Sequence, residues 1–222
     1  MVAVWVLVVL GGAAALADWW AVSREDQRLE YAAKPLVLAA LVAAAAAIPA
    51  GDVSGPDRRW WFVAALACCL AGDVLLMLPG DRFVPGLASF LAGHVLFVVG
   101  FLAPGVPLTL STVGIAAATA GIVAAGAYPV TRIVRAIAGG GDGELLVPVA
   151  IYVAAIATMA VVAWNVARPL AAAGATVFLL SDTLLATDRF VRPLRQGTLA
   201  VHATYHVAQV LLVLSLLGTH PA

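Results

Sequence analysis

Two acids stand in stretches where acids are costly. Asp182, with Ser181 beside it, interrupts the apolar segment FLLSDTLLATDRF from Phe178 to Phe190, and Asp73 interrupts a near copy, GDVLLMLPGDRF from Gly72 to Phe83. An acid at the centre of a membrane segment costs about 3 kcal/mol on insertion scales, so such residues usually face a bundle interior and serve a function. Gly72-Asp73 answers Ser181-Asp182, the leucines at 75–76 answer those at 184–185, and Asp81-Arg82-Phe83 answers Asp188-Arg189-Phe190. Two carboxyl groups in a dry pocket suit acid–base chemistry, because one can keep its proton near neutral pH while the other is ionised.

Further polar groups lie in apolar surroundings. Lys34 precedes Pro35, His94 follows Gly93, Tyr152 follows Ile151, and His202, Tyr205, His206 and Gln209 follow one another at i, i+3, i+4, i+7. That spacing draws one polar stripe along a helix. Each has a plainer reading. The acids could be structural, satisfied by Lys34 or hydroxyls, and Lys34 a cation snorkelling to the interface. His94 and the stripe could be interhelical hydrogen-bond partners, and Tyr152 ordinary packing. Asp and His are both metal ligands, but the acids are far in sequence from the histidines. The metal signal is weak, and no metal or other cofactor is expected.

The elements that must position these groups are membrane helices. Of 222 residues 64% are hydrophobic and 11% charged, with mean hydropathy +1.04, the composition of an all-α integral membrane protein. Formal net charge is zero, so nothing suggests a nucleic-acid partner. Cys68 and Cys69 are adjacent and point apart on a helix, which argues against a disulfide framework. No Lys or Arg precedes Arg24, so the apolar N-terminus reads as a retained helix and not a signal peptide. A span needs about 20 apolar residues. Eight are predicted: Val2–Ala17, Pro35–Pro49, Trp60–Leu78, Pro85–Ala103, Pro107–Ala127, Leu145–Trp164, Pro169–Thr187 and Leu199–Gly218. Pro35, Pro85, Pro107 and Pro169 are placed at helix starts, and Trp19, Trp20, Trp60 and Trp61 at water boundaries. The run Gly139 to Gly143 reads as a linker.

Loop cations set the orientation. With the N-terminus outside, Arg24, Arg28, Lys34, Arg82, Arg132, Arg135, Arg189, Arg192 and Arg195 lie inside, against Arg58, Arg59 and Arg168 outside. Both termini are therefore placed outside, in an inner membrane of bacterial type. The chain reads as one membrane domain, 1–222, made of half-repeats 1–105 and 106–222 in the same orientation. Gly93-His94-Val95 answers Tyr205-His206-Val207, and Pro35 answers Pro148. An axis along the membrane normal would make helices 3 and 7 neighbours with Asp73 and Asp182 at equal depth. The polar groups gather near one face, which suggests a pocket open to that side.

The residues resemble a known family. Ala33-Lys34-Pro35-Leu36, Gly72-Asp73-Val74-Leu75-Leu76-Met77, the run Phe90 to His94, Ile151-Tyr152, Gly174-Ala175 through Phe178 to Ser181-Asp182, and Ala208-Gln209 resemble the YhhN-like family of eight-helix membrane proteins, whose characterised animal members are lysoplasmalogenases. The likeness runs from about residue 30 to 216. It departs at His206, where a second tyrosine is expected. The resemblance implies hydrolysis of the vinyl ether bond of a lysophospholipid. Asp73 and Asp182 would share the acid and base roles, Lys34 would hold phosphate, and His94, Tyr152, Ser181, Tyr205, His206 and Gln209 would contact substrate or water. The alternatives are a transporter and a lipid-binding protein without turnover. A transport path needs polar groups at both faces, and they gather at one.

Overall fold

The computed structural model describes residues 1–53, 58–80, 82–106, 108, 112–140 and 143–217. Among them are eight long helices: α1 Val2–Ser23, α2 Gln27–Ala47, α3 Arg58–Met77, α4 Phe83–Phe101, α5 Thr112–Gly139, α6 Leu146–Trp164, α7 Pro169–Ala186 and α8 Gly197–Leu214. Each is long and apolar enough to cross a bilayer, as expected of an integral multi-pass membrane protein. Seven of them close a ring in the order α1, α2, α3, α4, α6, α7, α8, with α8 returning to α1 and touching α2. α5 lies outside this ring against α6, α7 and the turn that follows α7. Its anchors are Ile133 and Ile137, buried with Phe83 and Val149.

Several boundaries differ from the sequence expectation, for local reasons. α1 does not stop at Ala17 but carries Asp18 and Trp19 within its last turns. The chain reverses at Arg24 to Asp26, with Glu25 at φ 56°. The Asp26 carboxylate then accepts the Leu29 N–H at 3.1 Å, which caps α2 and starts it at Gln27. Pro35 therefore lies inside α2 and not at its start; lacking an N–H, it leaves the Tyr31 carbonyl without its helical bond. Lys34 becomes an interior residue two turns in, buried, and leaves the tally of loop cations. Trp19 is likewise no boundary residue, since its indole turns inward to His206. α5 continues through Pro129 to Gly139, beyond the predicted end at Ala127. Pro107, Asp81 and Gly141-Asp142, used in the sequence reading, lie outside the described residues.

α3 and α4 approach closely because α4 presents a glycine every seven residues to α3. A Cβ on Gly86 would meet Leu76, one on Gly93 would meet Cys69 and the Ala65 carbonyl, and one on Gly100 would meet Phe62. Gly72 of α3 returns the favour, lying under the Phe90 ring. Small residues that let helices approach are a main source of packing energy in lipid, where apolar burial between helices gains little. At the end of the ring far from Asp73 and Asp182, cations close the helix carboxyl ends, which attract positive charge. Arg58, fully buried over Phe62 and Phe101, donates to the Ser215 carbonyl, Arg59 to that of Ile48, and Arg168 to that of Leu217 at 2.6 Å. Among the described residues these contacts close that end of the ring.

Candidate functional site

Asp73 and Asp182 each stand four residues before the last residue of their helix, roughly 6 Å along the axis at 1.5 Å per residue. After α7 the chain widens into one π turn, Thr187–Val191, before the connection to α8. α3 and α7 do not pack side by side as the sequence suggested: α3 packs on α2 and α4, and α7 on α6 and α8. The two helices instead face each other across a cavity of about 300 Å³ that both acids line. Its polar wall is Lys34, Asp73, Ser181, Asp182, His202 and Tyr205, with Leu76, Phe90 and Leu185 supplying apolar surface. A wider hollow of about 620 Å³, between the α1–α2 and α7–α8 connections, shares Gln27, Glu30 and Thr198 with it. The cavity therefore opens at the end of the ring opposite the Arg58 seal.

The acids have different surroundings. Asp73, with 2% of its side chain exposed, is 3.5 Å from the Lys34 ammonium through Oδ1 and accepts the Tyr205 hydroxyl at Oδ2, 2.9 Å. Asp182, 15% exposed, has no lysine or arginine partner among the described residues. It accepts the Tyr152 hydroxyl at 2.6 Å through Oδ2. His94 Nε2 is 2.9 Å from the Tyr152 oxygen and 3.4 Å from Asp182 Oδ2. Because Tyr152 gives its only proton to Asp182, His94 must donate from Nε2. Phe178 fills the space between the two centres, with ring contacts to His94 at 4.7 Å and Tyr205 at 5.4 Å between centroids.

The remaining predicted residues stand in or behind this wall. Ser181 lines the cavity, yet its hydroxyl is engaged by the Val201 carbonyl at 3.0 Å and ties α7 to α8. His206 lies off the cavity, with Nδ1 accepting the Trp19 indole N–H at 3.1 Å. Gln209 is fully buried, and its amide nitrogen and oxygen have no hydrogen-bond partner among the described residues. His202, noted only as part of the stripe, contacts the Lys34 ammonium through Nε2 at 3.2 Å. The residue that sequence reasoning missed is Asp18, fully buried, with Oδ2 2.8 Å from His202 Nδ1. Ending α1 at Ala17 put it in a loop; the apolar run Trp19 to Val22 after it was the available signal. His202 and His206 form an i, i+4 pair near Asp18, but no group of three His, Cys, Asp or Glu suited to a metal ion occurs among the described residues.

Comparison with known proteins adds a family. The YhhN family model matches residues 29–216. Human lysoplasmalogenase TMEM86B is 34% identical over 158 residues, 69% of this chain and 62% of that protein. A lysoplasmalogenase of Mycobacterium tuberculosis is 30% identical over 188 residues, 83% and 69% of the two chains. Human lysoplasmalogenase TMEM86A is 28% identical over 170 residues, 72% and 66%. The chain thus spans about three fifths of the length of TMEM86B. No solved structure matches it.

Proposed function

Because the chain belongs to the YhhN family, we propose that it is a lysoplasmalogenase-like hydrolase, cleaving the vinyl ether bond of a lysophospholipid to a fatty aldehyde and a glycerophospho-alcohol. One observation carries the reading: two acids share one cavity, and among the described residues only Asp73 is paired with a lysine or arginine. A vinyl ether reacts by protonation at its β-carbon, which leaves an oxocarbenium ion like that of glycoside hydrolysis. Asp182, which has no lysine or arginine partner among the described residues, is assigned as the donor of that proton. Asp73, beside the Lys34 ammonium, is assigned to stabilise the cation and accept a proton from the water that adds to it. The hemiacetal then collapses, its hydroxyl proton going to the departing glycerol oxygen by way of the two carboxyl groups. The sum is one water consumed, one aldehyde and one alcohol formed. Lys34 has three N–H donors, two directed at His202 and Asp73; the third is assigned to a substrate phosphate oxygen. The alkyl chain, too long for so small a cavity, extends into lipid.

The test is aldehyde release by the purified protein from a 1-alkenyl lysophospholipid. The matching 1-alkyl ether, which lacks the double bond, is the control and should give none. Absence of aldehyde from the alkenyl lipid would overturn the reading and return the site to lipid binding or transport. A finer expectation concerns Tyr152→Phe, which removes the 2.6 Å bond to Asp182 and leaves that carboxyl with His94 alone. A hydrogen bond between neutral groups is worth about 1 kcal/mol, so kcat should fall roughly 5-fold with KM little changed. An unchanged kcat would place Tyr152 in packing only.

Two coarser features belong to the same reading. The half-repeats 1–105 and 106–222 are supported by the partners of the acids. Asp73 on α3 is held from α2 and α8, and Asp182 on α7 from α6 and α4, which is the same pattern advanced by four helices. Phe83 and Phe190, the ends of the two copied segments, meet edge to face at 5.6 Å. Both termini are placed outside an inner membrane, with the cavity mouth on the cytoplasmic side, since Arg24, Arg28, Arg82, Arg189, Arg192 and Arg195 flank the mouth end. A C-terminal reporter that works only in the cytoplasm should stay silent; a signal from it would invert the orientation and leave the cavity as it is.

A further inference from the structure

Asp18 lies on α1, before the stretch 29–216 matched by the family model, and it is 0% exposed. A buried acid is poor stabilising material: replacing buried ionic groups with well-packed apolar ones is often neutral or favourable. Its contacts are specific, however. Oδ2 is 2.8 Å from His202 Nδ1 and 3.9 Å from His206 Nδ1. His206 cannot serve it, because that nitrogen already accepts the Trp19 N–H. His202 can. A carboxylate accepts only, so Nδ1 must carry a proton. On the other side of the ring, Lys34 Nζ lies 3.2 Å from Nε2. An ammonium donates only, so Nε2 must present its lone pair. One neutral tautomer, with the proton on Nδ1, satisfies both neighbours. With the proton on Nε2 instead, an N–H would point at the ammonium and push it away from Asp73.

We propose that Asp18 is a positioning residue of this site: it fixes the tautomer of His202, and His202 in turn holds the Lys34 ammonium against Asp73. The line runs from Asp18 on α1 through His202 on α8 and Lys34 on α2 to Asp73 on α3, ending at the Tyr205 hydroxyl. An acid that orients an imidazole by accepting from Nδ1 is a device used in other active sites. Here the imidazole neither gives nor takes a proton from substrate. It acts as a spacer with a donor on one side and an acceptor on the other. Its effect is to keep the ammonium beside Asp73, the acid assigned to accept the proton.

The kinetic part of this inference rests on the hydrolase reading; the tautomer part does not. Nitrogen NMR of histidine-labelled protein in detergent, assigned by loss of the His202 signal in His202→Gln, reads the tautomer directly. The wild type should show His202 neutral with the proton on Nδ1, and Asp18→Asn should lose that single state. A wild-type His202 protonated on Nε2 alone, or a tautomer unmoved by Asp18→Asn, overturns the proposal whether or not the protein makes aldehyde. In turnover, Asp18→Asn should lower kcat about 10-fold or more while KM stays within about two-fold, consistent with an orienting role. On a Lys34→Met background the same change should cost nothing further, because its route to Asp73 is gone. An equal loss on that background means Asp18 acts through the fold, and the proposal fails. Should Asp18→Asn not fold, His202→Gln and His202→Leu decide. The glutamine amide can donate to Asp18 and accept from Lys34, so it should retain far more kcat than leucine; equal losses would sink the idea.

Discussion

Asp182→Asn is expected to lower turnover by about 10² or more, the scale of general acid–base catalysis. Asparagine keeps the shape and still accepts the Tyr152 hydroxyl, but it cannot deliver a proton. Asp73→Asn should cost a similar factor for a different reason. It removes the charge opposite Lys34, so nothing balances the oxocarbenium ion or takes a proton from water. The double variant should be little worse than either single one, because groups that act as a unit are not additive. The stabilities should differ. Asp182 has no cation to orphan, so its variant should melt near the wild type. Asp73→Asn leaves a buried ammonium 3.5 Å from a neutral amide, and breaking a buried pair by removing one partner is destabilising. Aldehyde release and thermal melting of the three variants read both effects. A well-folded Asp182→Asn protein with near wild-type turnover would remove Asp182 from the mechanism.

Gly93→Leu should be the most damaging change away from the acids. A Cβ there would come within 3.2 Å of the Ala65 carbonyl oxygen and 2.9 Å of Cys69 Sγ. The carbonyl belongs to the α3 backbone and cannot rotate aside. Overpacking of this kind costs roughly 1–3 kcal/mol, and the cheapest relief is for α4 to move outward. His94, the next residue, would move with it and lose its place beside Tyr152 and Asp182. Lower melting temperature and a turnover loss of about 10-fold, the worth of roughly 1.4 kcal/mol at the barrier, are expected together. Gly12→Leu is the matched control, since nothing stands within 4 Å of a Cβ at that position. If Gly93→Leu behaves like Gly12→Leu, the close α3–α4 contact is not what holds His94.

The helices were legible because membrane helices must satisfy their own backbone, so hydropathy alone finds them. The acids were legible for the complementary reason: Asp73 and Asp182 interrupt runs where polarity is costly. Asp18 has the same character but sits near a helix end, next to tryptophans that read equally well as an interface, so the helix was closed at Ala17, six residues before its end at Ser23. Lys34 was misplaced for a related cause. A proline normally marks a helix start, and only the Asp26 cap, nine residues before Pro35, shows that α2 is already under way. Which helix packs on which was beyond the copied segments. The similarity between residues 72–83 and 178–190 says that two places are alike, not whether they touch. Their separation is set by α4, α6 and α8, whose order in the ring depends on long-range packing.

Among the described residues α5 gives the cavity no side chain, and the ring closes through α4 and α6 without it. Its contribution is parity. α4 ends on the sealed side of the membrane, whereas α6 must begin on the open side for Tyr152 to reach Asp182 from the same level as Lys34 reaches Asp73. One further crossing turns the chain round, and any apolar helix of adequate length does so. Apart from its buried anchors Ile133 and Ile137, the sequence of α5 is therefore free to drift while its presence is not. A lineage that lost this helix would invert everything downstream and strand one acid on each side of the bilayer, so the least involved segment is the one that cannot be deleted.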